Sequence, residues 1–140
     1  MTPDLDSKLV EKYPRIMEKI SHTQCDDGWY DLIDVLCSQI QKHTDFKIKN
    51  SQLSEEEQKS LQVVALQIKS KFGGLRFYVS GGDDTTETMI HIAESISFRI
   101  CEHCSAKGKQ QSLSGWIYTS CNPCFEKRAQ RNYEKSQIKE

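Results

Sequence analysis

Long apolar runs are absent from this sequence. None approaches the roughly 20 consecutive apolar residues that a helix needs to cross a bilayer, which excludes a membrane-spanning helix as the organising element. The opening Met1–Lys8 stretch has neither a basic nor an apolar segment of the kind that marks a secretory leader, so the cytoplasm is the expected compartment. An excess of charge is also missing: 19 Lys and Arg stand against 20 Asp and Glu, a formal net of −1. A chain so balanced does not coat nucleic acid by bulk charge. Internal repeats, low-complexity tracts and a Pro/Gly/Ser-rich linker are lacking as well. With 140 residues, 36% hydrophobic and 28% charged, the chain has room for one ordinary core, or for one core and a small satellite.

The balanced total conceals an asymmetry. Residues 1–98 hold 11 Lys/Arg and 16 Asp/Glu, a net of −5, and residues 99–140 hold 8 and 4, a net of +4. The boundary falls where a cysteine pattern begins. Two units are expected: an α+β unit over 1–98 and a metal-finger unit over 99–140.

Within the first unit, Leu9, Val10, Tyr13, Ile16, Met17 and Ile20 have helical spacing over about 6–20, and Pro14 divides that stretch into two short helices. Trp29, Leu32, Ile33, Leu36, Cys37 and Ile40 mark a helix over about 28–42, with Asp26 or Asp27 as its cap. Residues 44–53 read as a loop. Ser54 and Glu57 form a capping pattern for a short helix. Alternation of Val64, Leu66 and Ile68, then of Leu75, Phe77 and Val79, around Gly73-Gly74 predicts a hairpin over about 62–80. A helix running on from Ser54 to about Lys69 competes with it. Asp84 and Glu87 cap a helix over about 85–99. The expected class is α+β, with helices packed on a small antiparallel hairpin sheet and a finger following.

Cys101, Cys104, Cys121 and Cys124 give the pattern C-x2-C-x16-C-x2-C. A two-residue spacer lets a tight turn aim both thiolates at one point, and two such pairs complete a tetrahedron about Zn²⁺. Zinc as a structural cofactor is the reading. Two disulfides, free thiols or an iron–sulfur cluster are the alternatives. Four thiolates close the shell, which favours structure over catalysis. They also bring the finger's charge from +4 to about +2, because the ion with four thiolates carries about −2. A hairpin is expected after the first pair, with its turn near 110–114. A helix with Asn122 as cap and Pro123 in its first turn is expected after the second.

Knuckle, hairpin and helix in that order resemble the treble-clef zinc finger over residues 101–135. That scaffold serves many functions. An HNH-type nuclease is excluded, since residues 105–120 hold no histidine. At the level of the whole chain, Gly28-Trp29-Tyr30, the segment Lys71-Phe72-Gly73-Gly74-Leu75-Arg76-Phe77-Tyr78 and the four-cysteine tail resemble small uncharacterised proteins encoded by phages and prophages. The resemblance implies a phage-borne protein at work in the host cytoplasm, and no activity.

Contact with a partner is assigned to Arg76 and Tyr78 on the outward hairpin face, and to Lys107, Lys109, Trp116, Tyr118, Lys127, Arg128 and Arg131 of the finger. His103 reads as a solvent-facing turn residue, Cys37 as a core residue, Cys25 as without a role, and Gly81–Asp84 as a turn and cap. Functionally, the sequence points to a non-enzymatic zinc-binding protein that acts on a macromolecule, with a host protein as the partner and regulation or inhibition as the effect. Nucleic-acid binding through the basic finger is the second reading. Binding of a nucleotide-type small ligand, with Arg76 as anion partner, is the third.

Overall fold

The structure, a computed structural model, describes residues 1–139. It is an α+β fold. Helix α1 (Pro3–Lys12) starts with proline at its head and acidic residues in its first turn, both favoured there. It ends sooner than the apolar spacing suggests. A residue before proline is pushed out of the helical region, and Tyr13 leaves it at φ −131°, ψ 62°. No second helix forms over 14–20. Instead Ile16, Met17 and Ile20 are buried from a chain of turns. This segment covers the free edge of strand β1 (Val64–Lys71). Ala65 donates to the Ile16 carbonyl at 2.8 Å, and Gln24 makes a parallel bridge with Lys69. An edge with its backbone groups engaged no longer offers itself to other chains.

A 3-10 turn at Asp27–Trp29 leads into α2 (Tyr30–Asn50). Neither Asp26 nor Asp27 caps this helix. Trp29 holds the cap position without a side-chain bond. The helix also runs eight residues past the expected end at Lys42, through what reads as a loop. After Ile40 its only buried residue is Thr44, whose hydroxyl donates back to the Ile40 carbonyl at 2.9 Å, so the apolar period stops while the helix does not. Helix α3 (Glu55–Leu61) is capped by Ser54, which accepts from the Glu57 amide. The chain leaves it at Gln62, and the continuous helix to Lys69 is not formed.

Strand β1 pairs antiparallel with β2 (Gly74–Ser80), from Val64 opposite Ser80 to Lys71 opposite Gly74, with a bulge between Ala65 and Gln67. Their two-residue turn has positive φ at both Phe72 (53°) and Gly73 (79°), the turn geometry that suits the twist of paired strands. Helix α4 (Asp84–Ser97) has a reciprocal capping box between Asp83 and Thr86, one residue ahead of the expected Asp84–Glu87 pair. Helices α2 and α4 and the inner hairpin face enclose the core: Trp29, Leu9, Ile16, Met17, Ile33, Ile40, Ile68 and Leu75 are almost wholly buried.

Beyond α4 come β3 (Lys109–Leu113) and β4 (Trp116–Ser120), a separate two-stranded sheet, then α5 (Asn122–Ile138). The turn of this second hairpin is at Ser114-Gly115, again with positive φ at both residues, at the far end of the expected 110–114 stretch, the rest of which is strand. Cys121, not Asn122, occupies the α5 cap position. No helix among the described residues is long and apolar enough to cross a membrane.

Candidate metal centre

Cys101 follows the end of α4 through a short antiparallel bridge between Ile100 and Lys107. Within that bridge the Cys101 amide donates to the Ala106 carbonyl at 2.7 Å, and Ser105 donates back to Cys101 at 3.0 Å. The result is a tight knuckle that turns Cys101 and Cys104 the same way. The second pair comes from the start of α5, Cys121 at the cap and Cys124 one turn on. All four sulfurs lie within 4.8 Å of one another, and the Cys104 and Cys121 sulfurs are 3.6 Å apart. Tetrahedral thiolates at about 2.3 Å from one ion stand about 3.8 Å apart, whereas a disulfide would bring two sulfurs to about 2.05 Å. All four are free thiols. The cluster can therefore hold a metal ion.

The backbone prepares one corner for charge. Burial resists ionisation of Cys101, but the amides of Cys121, Cys104 and His103 are aimed at its sulfur and bring the thiol down to about 7. Cys124 is pushed up to about 12 by burial and by sharing hydrogen with the sulfurs of Cys121, Cys104 and Cys101. The remaining cysteines are different in kind: burial raises the thiols of both Cys25 and Cys37, the latter to about 12, as expected of inert interior residues.

Glu102, between the first two cysteines of the cluster, joins the knuckle to the rest of the molecule. Its amide donates to the Thr119 carbonyl at 2.9 Å, and its carbonyl accepts from Gly28 at 2.7 Å. Its buried carboxylate accepts from the Asp26 amide at 3.1 Å and the Ser70 hydroxyl at 2.8 Å. Burial raises this carboxyl's pKa against the opposing effect of the Ser70 bond. The approach at Gly28 is so close that a Cβ there would lie 2.3 Å from the Cys101 carbonyl oxygen. Only glycine fits. The Trp29 indole donates to the Ile100 carbonyl at 2.9 Å, and the Ser105 hydroxyl to that of Gly28 at 2.7 Å. Thr119 reaches the Gly73 carbonyl at the tip of the first hairpin. Sequence reasoning passes over Glu102, Gly28 and Ser70 in these roles, because their partners are 32 to 77 positions away.

The residues assigned to partner contact occupy several places. Trp116, Tyr118 and Arg128 line an open groove of about 750 Å3 between the two hairpins, with Lys69, Lys71 and Phe72 opposite. Arg128 stacks over the Tyr118 ring at 4.0 Å and pairs with Asp26 at 3.4 Å. Arg76 and Tyr78 lie on the outward face of the first hairpin, opposite Lys69 and Gln67. Lys107 and Lys109 are exposed along the strand leaving the knuckle. Lys127 and Arg131 line a different depression, beside His103 and Cys124. Phe72, two-thirds exposed, stands out only in the structure, because in sequence it is simply part of a glycine turn.

Comparison with family models, with curated proteins and with solved structures finds no match. The fold and site define the chain as an α+β protein with a cluster of four cysteines, able to hold a metal ion, at its carboxy-terminal end.

Proposed function

We propose that the four cysteines hold one structural zinc ion and that the protein acts by binding a macromolecule rather than by turning over a substrate. The observation that carries this reading is the closed set of four sulfurs within 4.8 Å. Such a shell leaves no open position for a reacting water or substrate. The finger it closes buries little of its own: α5 has no buried residue. What the ion holds in place is a surface, the second hairpin set against the first.

Metal analysis of the purified, reduced protein tests this. One zinc per chain, a colourless solution and loss of zinc in Cys121→Ser are expected. Iron with visible absorption, or no metal at all, overturns it. The phage-like segment Lys71–Tyr78 and the four-cysteine tail support a partner from a host cell, either a protein or a nucleic acid. The distribution of surface cations and rings favours the second.

A further inference from the structure

We infer that the outward face of the first hairpin and the groove beside it form a binding surface for single-stranded nucleic acid; this rests on the proposed metal-held finger, which supplies the far wall of the groove.

Lys69 lies directly opposite Arg76 in the strand register, so the two share a face of the sheet. Lys71, two positions on from Lys69, shares it too. None of the three enters an ion pair among the described residues. Like charges directly opposite one another destabilise a hairpin, and no salt bridge among the described residues offsets this pair. An anion laid along the face would. Carboxylates do line the groove: Asp26 is paired with Arg128, whereas Glu102 is buried and bonded only to the neutral Ser70 hydroxyl and Asp26 amide. Against that one carboxylate stand Lys69, Lys71 and Arg76, so the surface is positive on balance.

The apolar part of the surface is aromatic. Trp116 is 70% exposed, Phe72 66% and Tyr78 43%. These rings flank the cations, with Phe72 next to Lys71 and its ring 5.6 Å from the Lys71 ammonium. Exposed flat rings between cations are what unpaired bases and their phosphates require, and a duplex offers no base face to them. Phe72 is moreover held at φ 53°, a conformation that bulky side chains avoid. That turn carries the ring out towards solvent, two-thirds exposed beside Lys71.

The test is fluorescence anisotropy with the full-length, zinc-loaded protein and labelled oligothymidine, oligouridine and a duplex of equal length. Binding to one or both single strands is expected, and which of the two binds tighter distinguishes DNA from RNA. Three phosphate contacts predict a salt slope of about −2, a roughly 20-fold loss of affinity between about 50 and 200 mM salt. Lys69→Gln with Arg76→Gln is expected to flatten the slope by about 1.4 while leaving the fold intact, since it removes a repulsive pair. Trp116→Ala is expected to weaken binding about fivefold or more. Lys127→Gln with Arg131→Gln, on the other depression, is expected to change little.

Absence of binding up to about 100 µM, equal affinity for the duplex, or dependence on Lys127 and Arg131 instead overturns the inference. So does tighter binding of an acidic Glu/Tyr copolymer, which would mark a protein-binding surface. Zinc content measured on the same sample separates the two levels. A zinc-loaded protein that binds no oligonucleotide refutes the ligand class alone, whereas a metal-free one refutes the reading beneath it.

Discussion

Phe72 shows how a single residue can serve presentation at the expense of stability. The first position of its two-residue turn favours asparagine or glycine, which tolerate positive φ. A bulky residue held there costs on the order of 1 kcal/mol or more. Phe72→Asn is thus expected to stabilise the protein by about 1 kcal/mol and to weaken oligonucleotide binding in the same sample. Urea denaturation and anisotropy on one preparation check both halves. A variant that is less stable would show that the ring contributes packing after all. The residue was legible as part of a turn and not as a feature, because the glycines that follow it account for the turn by themselves. The four cysteines were legible for the opposite reason: their chemistry and spacing leave few other uses.

Elements were readable where one face is apolar and both ends are marked. The first hairpin and α4 meet that condition, and α2 meets it only in its first half. Past Ile40 the helix is held by polar contacts, including His43 with Asp83 at 2.9 Å, which no periodicity records. The stretch after Pro14 misled for a different reason. Its apolar residues are buried against a strand edge by tertiary contact, so helical spacing there did not signify a helix.

Asp83 ties two of these elements together, capping α4 and accepting from His43 of α2. Burial works against its ionisation, but the His43 and Thr86 bonds prevail and hold the carboxyl at about 2, below its ordinary 3.8. A depressed carboxyl contributes stability above its unfolded pKa and loses it as pH falls through the folded one. Asp83→Ala is accordingly expected to cost about 1 kcal/mol at neutral pH, with the gap from the parent chain closing as pH falls from about 4 towards 2. Urea midpoints of the two chains, compared at each pH, give the gap free of any loss of metal common to both. A gap that stays constant down to the lowest pH would show that the cap does not depend on the charge.

At the scale of the molecule, the two halves differ in what holds them. The body has a continuous apolar core from Leu9 to Ala93, whereas the finger's buried residues, among those described, are Cys101, Glu102, Thr119 and Ser120. Burial of so little apolar surface does not offset the entropy of ordering residues 101–135, while structural zinc in finger peptides supplies about 10–16 kcal/mol of apparent binding energy. Removing the proposed zinc, by chelation or by Cys121→Ser, is expected to release β3, β4 and α5 while α2 and the first hairpin stay folded. The seam between the halves should report the change directly. The amides of Asp26 and Gly28 donate to Glu102, so they should lose protection from hydrogen exchange together with the finger, although they belong to the body. Trp29 supplies a second reporter. Its indole donates to Ile100, and in a Trp116→Phe background its emission should shift on metal removal without the large red shift of global unfolding. Retained protection across residues 109–120 would mean that the finger folds without its metal. Collapse of α2 at the same point would mean that the knuckle, through Glu102 and Gly28, supports the core as much as the core supports it.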